Sequence, residues 1–519
     1  MQRRELLTRA LTLGAVPWLA PMVSRAAEPE NWQAQFAASR EPWAPAFATP
    51  AGDYPLTKAR VRGRFPDAVT GTLYRNGPAG HDLGGERYHH WFDGDGMVQR
   101  FVIEGTEVHH QGRYVATAKW VAEMKAGRRL TEGFGTVFSG RDEVSAPDDM
   151  NVANIGVLPL GGELLALWEG GSATRLDLRT LQTRGPKTWR ADLAGAPFSA
   201  HPRTEPDGTV WNFGVYAQRS LLLLYEIAPD GALRRADALA LGETPLVHDF
   251  VVTEKHLVFL LPPLVYDAQR RAAGASVLDA HVWRPGRGLR ALVIDKADWA
   301  RRQEFRLPPG FLFHLGNAWE EETASGTVIH LDFARSDDAR GLLVDTRELM
   351  RGRAGGTPGP RLTVVELRLR SGEATQTDLG IEAEFPVIDP RRVGRQHRQV
   401  FHATGTPGGL PLWNAIAATD VTTGASQRYS HGPQTIVEEH LFVPDGSGPG
   451  WLIGTVHDLA QKKTVLSCFA ADALRDGPVA QATLPYALPL GLHGAFVSEP
   501  RLADGVVCDR TDCQRARAA

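Results

Sequence analysis

The chain has 519 residues, of which 43% are hydrophobic and 23% charged, an ordinary balance for a folded globular protein. Its net charge of −3 comes from 57 basic and 60 acidic side chains, so there is no basic excess for binding nucleic acid. Only three cysteines occur, Cys468, Cys508 and Cys513, which is too few for a zinc cluster or a disulfide scaffold.

Residues 1–27 have the pattern of an export signal. Arg3 and Arg4 precede an apolar run over residues 10–23, and residues 24–26 form a small-x-small cleavage site. The run is too short, and too interrupted by proline, for a membrane span. Because paired arginines are typical of twin-arginine signals, which carry folded proteins, we predict export by that machinery to the periplasm. An ordinary Sec signal is the alternative.

Residues 28–60 are rich in proline and aromatic residues and predict an irregular arm lying over the body. Short apolar or alternating runs follow between turn signals, and they predict one all-β domain over residues 61–500. The runs cover residues 72–77, 96–105, 162–171, 208–216, 256–263, 326–335, 362–372, 450–458 and 464–470. A helical period is convincing only at residues 119–127. Residues 501–519 are a tail in which Cys508 and Cys513 either pair or stay free.

The all-β patterns fit a barrel, a sandwich or a propeller. A single sandwich is too small for this length, whereas a propeller with blades of roughly 60–70 residues would need about seven. No clean repeat fixes the number of blades.

Four of the 17 histidines have a distinctive local setting. His201, His248, His314 and His493 each lie where a predicted strand starts or ends, among small or apolar neighbours. They are far apart along the chain, so no single helix supplies two of them, unlike a zincin motif. Blade-edge residues converge on the axis of a propeller, and neutral imidazoles suit a borderline metal such as Fe(II). Spacing alone does not single out these four.

The segments around these histidines resemble those of the carotenoid cleavage oxygenases, a family that includes apocarotenoid and stilbene dioxygenases. The resemblance extends from about Arg60 to Val497. It begins with GTLYRNGPAGHDLGGERYHHWFDGDGMVQRF at residues 71–101, a scaffold block in which His89 and His90 are predicted to be structural. The segments AHP, HDF, FHLGNAWEE and GLHGAFV then match the four metal-ligand segments of the family in order.

The resemblance implies a seven-bladed β-propeller with a helical and loop cap over the metal-bearing face. It further implies that Fe(II) is bound by His201, His248, His314 and His493.

The family also places glutamates behind three of the ligand histidines, and Glu169 and Glu384 match two of them. The third expected position falls near Ser447 in FVPDGSGPGWL, so one carboxylate is predicted to be missing. Glu438 or Glu439, further upstream, could substitute. A missing partner of this kind typically costs about 10–100-fold in metal affinity or activity.

The activity implied by the resemblance is cleavage of a carbon–carbon double bond of a carotenoid or apocarotenoid by O2, giving two carbonyl products. A polyene needs an apolar pocket, and Phe250, Phe311, Phe313 and Trp319 are candidate wall residues. Ordinary packing in the core explains these four side chains equally well. Peripheral membrane contact during substrate uptake is a further expectation.

Stilbene-cleaving relatives use a tyrosine and a lysine to bind a phenolic hydroxyl. This chain has His109-His110-Gln111 where the tyrosine is expected, and it has no lysine between Lys125 and Lys187. A 4-hydroxystilbene substrate is therefore disfavoured.

Three alternatives remain open at this point. The first is a stilbene-type dioxygenase, and the second is a propeller binding protein without catalysis. The third, a calcium-dependent hydrolase or lactonase, would need oxygen ligands in place of imidazoles. The sequence does not decide which double bond reacts, whether the substrate is cleaved or isomerised, or the oligomeric state.

Overall fold

Seven antiparallel sheets, arranged as the blades of a propeller, contain most strands of the computed structural model, which describes residues 31–406 and 410–498. The described residues from Trp32 onward belong to one unit. The predicted all-β, seven-bladed fold is therefore confirmed. The predicted signal segment and the tail with Cys508 and Cys513 lie outside the described residues.

The blades are numbered in chain order, and each is given from its inner strand outward. The strands are, in blade 1, Gly494–Ser498, Gly71–Gly80, Asp95–Glu104, Glu107–Tyr114 and Tyr54–Lys58; in blade 2, Gly156–Leu160, Glu163–Leu167, Thr174–Leu176 and Thr183–Pro186; in blade 3, Arg203–Thr204, Val210–Tyr216, Leu221–Ile227 and Leu233–Ala240; in blade 4, Phe250–Val252, His256–Leu261, Leu289–Asp295 and Arg302–Leu307; in blade 5, Phe311–Thr323, Gly326–Ser336, Arg361–Arg368 and Glu373–Glu382; in blade 6, Glu384–Val387, Gln399–Thr404, Ala415–Asp420 and Ser426–Ser430; and in blade 7, Thr435–Val443, Trp451–Asp458, Lys463–Ala470, Ala480–Thr483 and Arg60–Gly63. Two small hairpins pair Asp82–Leu83 with Glu86–Arg87 and Leu264–Tyr266 with His281–Trp283.

Blades 1 and 7 both join the two ends of the described chain. Gly494–Ser498 adds the inner strand to blade 1, and Arg60–Gly63 adds the outer strand to blade 7. Inner strands of neighbouring blades contact one another, which places them around the propeller axis. Pairing the two ends of the described chain in this way closes the ring of blades.

Helices are short and occupy the connections. The α-helices are Trp32–Ala38, Ala118–Ala126, Ala268–Ala272 and Thr346–Met350, with a π-helical turn at Gly341–Asp345; the 3-10 turns are Ala44–Phe47, Asp67–Val69, Trp91–Asp93, Pro147–Met150, Ala191–Leu193, Ala217–Arg219, Pro285–Arg287, Pro390–Arg392 and Leu474–Asp476. Ala118–Ala126 confirms the predicted helix. It begins after Thr117, whose hydroxyl accepts from the Trp120 N–H, and it ends at Gly127 with φ 66°.

The prediction that residues 28–60 lie over the body as an irregular arm is wrong. Tyr54–Lys58 is the outer strand of blade 1, and Trp43 and Phe47 are fully buried in the largest apolar cluster. The sequence concealed this strand because its burial pattern is that of an edge strand with a proline, which lacks a continuous apolar face.

Within the described residues, no helix combines the length and apolar character needed to cross a bilayer.

Candidate metal centre

Four histidine side chains meet at the propeller axis. The structure brings together His201, His248, His314 and His493, and one ring nitrogen of each lies within 4.8 Å of the corresponding atoms of the other three. Nε2 of His201 is 2.9 Å from Nε2 of His248, and Nε2 of His314 is 3.1 Å from Nε2 of His493. Nitrogen ligands about 2.1 Å from one ion lie about 3.0 Å apart when adjacent, so a single ion can reach all four.

Inner strands of different blades position the four rings. His201, His248 and His493 come just before the inner strands of blades 3, 4 and 1, whereas His314 lies within Phe311–Thr323 of blade 5. That strand has irregular register between Leu312 and Leu315. A β-bulge re-aims side chains in this way, which explains how a residue inside a strand points at the axis.

Carboxylates contact the outer nitrogens of three of the rings. Glu169 pairs with Nδ1 of His248, and Glu384 pairs with Nδ1 of His314. Among the described residues, no carboxylate contacts His201. Both glutamates named from the sequence therefore contact ring nitrogens of the histidine group.

The third carboxylate is present, and the prediction that it is missing is wrong. Oε1 of Glu439 is 2.9 Å from Nδ1 of His493, and its Oε2 accepts from the Gly494 N–H at 2.9 Å. Ser447, at the expected position, is exposed in a turn. The register of Thr435–Val443 shifts between Val437 and His440, and this bulge directs Glu439 to the axis. The spacing of residues along the chain cannot show a bulge. The two adjacent glutamates of VEEH were the sequence feature that pointed to a substitute carboxylate.

These hydrogen bonds decide the tautomers. Each carboxylate accepts a hydrogen bond from the Nδ1–H of its histidine. A neutral His248, His314 or His493 therefore carries its proton on Nδ1 and has a lone pair at Nε2. Burial lowers the pKa of His201 and His314 well below the usual histidine value. Lone pairs that face one another at about 3 Å repel unless a cation lies between them, so the donor set fits a borderline divalent metal.

The carboxylates and rings share charge in the same enclosed space. Burial raises the pKa of Glu384 to about 8, since a desolvated carboxylate prefers its proton. Burial alone would lower the pKa of His248, but the contact with Glu169 outweighs it and raises that pKa. Four neutral imidazoles would leave the charge of a divalent cation uncompensated. The cation would favour the ionised form of the glutamates, whose negative charge offsets it.

Glu439→Ala is expected to lower metal affinity by about 10–100-fold, because His493 loses the acceptor that fixes its tautomer and orientation. Metal titration followed by absorbance of the cobalt form measures this. Ser447→Ala is the matched control and should bind metal like the wild type. Equal affinities of Glu439→Ala and the control would contradict the assignment of Glu439.

An ion pair joins three of the ligand segments. Arg203 donates to both oxygens of Asp249, with Nη2 at 2.8 and 2.7 Å, and Asp249 also accepts from the Leu315 N–H at 2.8 Å. These residues are immediate or second neighbours of His201, His248 and His314. The pair was not singled out from the sequence, although Asp249 belongs to the HDF segment.

The fourth segment is fixed by a second buried ion pair, Arg75 with Glu438. Arg75 also donates to the Pro489 carbonyl at 2.9 Å, and Glu438 accepts from the Gly491 N–H at 2.7 Å. Both contacts lie just before His493, so the pair holds the loop that presents this histidine. Arg75 matched the family's opening segment, but its partner could not be read from the sequence.

A cavity of about 1040 Å³ opens beside the histidines, and His248, His314 and His493 line it. Its aromatic wall consists of Trp91, Phe92, Phe134, Trp168, Phe213, Tyr216, Phe313, Phe385 and Trp413. Connections between strands of blades 4 and 5 contribute Val277, Leu342 and Leu349, so the predicted cap over the metal-bearing face is confirmed. The apolar lining suits a large hydrophobic ligand.

Phe385 is held against the histidines by an unusual backbone. Its φ is +52°, which is costly for a bulky side chain, and its ring lies 5.2 Å from His314 and 5.4 Å from His493 between centroids. Such strain is typical of functional sites. The conformation also lets the preceding Glu384 face His314.

Of the four predicted wall residues, only Phe313 lines the cavity among the described residues, so the other three assignments are wrong. Phe250 stacks on Phe259 in the core, Trp319 stacks on His330, and Phe311 packs behind Phe313. Closeness in sequence to a candidate ligand therefore did not place these three side chains at the cavity.

His89 and His90 lie outside the group of four histidines, as predicted. Nε2 of His90 is 3.0 Å from the Leu342 carbonyl oxygen, and the ring of His89 stacks on Trp32. Both contacts join the first block to the cap.

Comparisons with known proteins agree with this geometry. A profile of the retinal pigment epithelial membrane protein family matches residues 47–498. The apocarotenoid-15,15'-oxygenase of Synechocystis sp. is 30% identical over 500 residues, which cover 90% of this chain and 98% of that protein. The lignostilbene-alpha,beta-dioxygenase isozyme III of Sphingomonas paucimobilis is 28% identical over 472 residues, covering 85% and 94% respectively. The crystal structure of cobalt-substituted Synechocystis apocarotenoid oxygenase superposes with a TM-score of 0.80 at 28% identity, covering 88% of this chain and 98% of that one.

Proposed function

Because the chain belongs to the retinal pigment epithelial membrane protein family of carotenoid cleavage oxygenases, we propose that it is a mononuclear non-haem iron(II) dioxygenase. Its reaction is oxidative cleavage of a carbon–carbon double bond by O2. The substrate class that we propose is a carotenoid or apocarotenoid, which gives aldehyde or ketone products.

The observation that carries this proposal is the position of the four imidazoles beside a large apolar cavity. Three of the four rings line that cavity, so a bound metal would face its contents. Four protein ligands leave up to two positions of an octahedral ion for other groups. The chemistry that Fe(II) would supply there is the binding and activation of O2.

The side chains of this chain have separate tasks in that reaction. His201, His248, His314 and His493 would hold the ion through Nε2. The three glutamates keep the tautomers of His248, His314 and His493 fixed. The aromatic wall orients the polyene and excludes water from the reacting bond. Scission of a double bond by O2 needs no protein acid or base, and we assign none.

A phenolic stilbene is the second candidate, because of the lignostilbene dioxygenase relative. Among the described residues, no lysine lines the cavity, and His110 is buried between Gln99 and Tyr486 instead of facing it. These contacts support the carotenoid class over 4-hydroxystilbenes.

Product analysis tests the proposal most directly. We expect the protein, loaded anaerobically with Fe(II) and then exposed to O2, to convert at least one carotenoid or apocarotenoid into two carbonyl fragments. Mass spectrometry across a panel of carotenoids and stilbenes measures this. Cleavage restricted to stilbenes would replace the substrate class. A protein that retains no iron and cleaves nothing would be a binding protein.

Periplasmic export by the twin-arginine route is part of the proposal, and it is supported by Arg3 and Arg4 before the apolar run. Replacing both arginines by lysine is expected to retain the protein in the cytoplasm, as cell fractionation would detect. Unchanged export would contradict the route.

For delivery of the water-insoluble polyene to the cavity, we propose peripheral contact of the protein with a membrane.

A further inference from the structure

The polar side chains that line the cavity mostly have protein partners. Arg271 donates to Glu132 at 3.0 Å, and Glu382 accepts from Nε1 of Trp413 at 2.9 Å. Groups satisfied in this way have less capacity to select a ligand. A polar group that lines the cavity and has an unused hydrogen-bonding atom could instead select a substrate by the polar group that the substrate carries.

His281 is such a group. It lines the cavity and is only 8% exposed, and its Nδ1 lies 2.8 Å from the carbonyl oxygen of Val277. A carbonyl oxygen can only accept, so Nδ1 carries the proton and Nε2 of the neutral ring has the lone pair. Within the described ranges, no hydrogen bond joins Nε2 to a protein group, and the ring packs edge-on against Tyr266.

The ring stays neutral near pH 7. Burial lowers the pKa of His281 to about 4, since the charged imidazolium is desolvated there. Nε2 is therefore an acceptor without donor character under ordinary conditions. A buried acceptor of this kind favours a hydroxyl over a carbonyl group.

The cap hairpin places His281 at a distance from the metal centre. His281 pairs with Tyr266, whose N–H donates to the Thr244 carbonyl at 2.8 Å. Thr244 precedes the ligand His248 by four residues. Chain reach and strand spacing therefore place His281 within roughly 25 Å of His248. A rod-like substrate with its reacting bond at the metal would extend to the hairpin.

We propose that His281 accepts a hydrogen bond from a hydroxyl group at one end of the substrate, which makes the substrate an alcohol-bearing polyene. The inference rests on the proposed function, because it assumes that the cavity holds a polyene. A hydrocarbon end would leave Nε2 without water or partner, and a ketone oxygen would face a second acceptor. We expect the hydroxylated compound to bind about 10–100-fold more tightly than either analogue.

The test compares three apocarotenals that differ only in the ring: one with a ring hydroxyl, one with a ring ketone and one with an unsubstituted ring. Dissociation constants are measured on the metal-loaded protein under anaerobic conditions, from quenching of the tryptophans that line the cavity. Admission of O2 then measures cleavage separately. Normal selectivity in binding without cleavage would refute the proposed function and leave this inference intact.

His281→Phe keeps an aromatic ring but removes the Nε2 acceptor and the Nδ1 donor, so the preference for the hydroxylated compound is expected to fall toward one. His281→Gln offers an amide acceptor and should retain part of the preference. Tyr266→Phe is the control for disturbance of the hairpin and should keep it. Equal binding of the three compounds by the wild type would overturn the proposal, and so would an unchanged preference in His281→Phe. Should His281→Phe not fold, the wild-type and His281→Gln ratios still decide the question.

Discussion

Replacing His248 by alanine is expected to abolish metal retention and oxygenase activity while the propeller stays folded. The ring is one of four that converge on the axis, and its Nδ1 contact with Glu169 fixes it there. Loss of a ligand should exceed the roughly 10–100-fold cost of losing an outer hydrogen-bond partner. Metal analysis after desalting and thermal unfolding measures both expectations.

Added metal should also stabilise the wild type but not His248→Ala. An ion at about 1,000 times its dissociation constant contributes about 4 kcal/mol to the folded state. His330→Ala is the matched histidine control, because that ring stacks on Trp319 away from the metal cluster. Full metal occupancy in His248→Ala would remove His248 from the ligand set.

Arg75→Met is expected to destabilise the fold by about 3–5 kcal/mol, because it leaves the carboxylate of Glu438 buried without its cation. Arg75 is 5% exposed and Glu438 is 2% exposed. Loss of the pair should also loosen the loop before His493, since both residues hold its backbone. Denaturant unfolding followed by fluorescence measures the free energy of unfolding.

Lys58→Met is the control for charge removal. Lys58 and Glu107 form an exposed ion pair in blade 1, where about 0–1 kcal/mol is expected. If Arg75→Met lowers the free energy of unfolding no more than Lys58→Met does, the buried pair does not fix the loop.

The Arg75–Glu438 pair also predicts a dependence on pH. Burial would raise the pKa of Glu438, but Arg75 and His457 outweigh it and lower the pKa from 4.5 to about 2. A carboxyl group with a depressed pKa stabilises the fold above its unfolded value, and this contribution is lost as the pH falls from about 4.5 to 2. The free energy of unfolding should therefore decrease over that range, and less so in Arg75→Met.

Much of the fold could be predicted from local patterns. The apolar runs at residues 208–216 and 464–470 both became strands, and the helix at Ala118–Ala126 has the expected period. These elements are decided by interactions a few residues apart. Tyr54–Lys58 was missed because its partners come from Glu107–Tyr114, and an edge strand has no pattern of its own.

Local patterns and the family resemblance were enough to predict the class of fold, the four histidines and two of the three glutamates, because these residues lie in recognisable segments. The positions of Glu439 beside His493, of Phe385 beside His314 and of His281 at the cavity depend on the folded structure. Bulges, a positive φ and the closing of blades around an axis determine where these side chains point. Such long-range constraints arise from packing of distant strands, so no local stretch of sequence contains them.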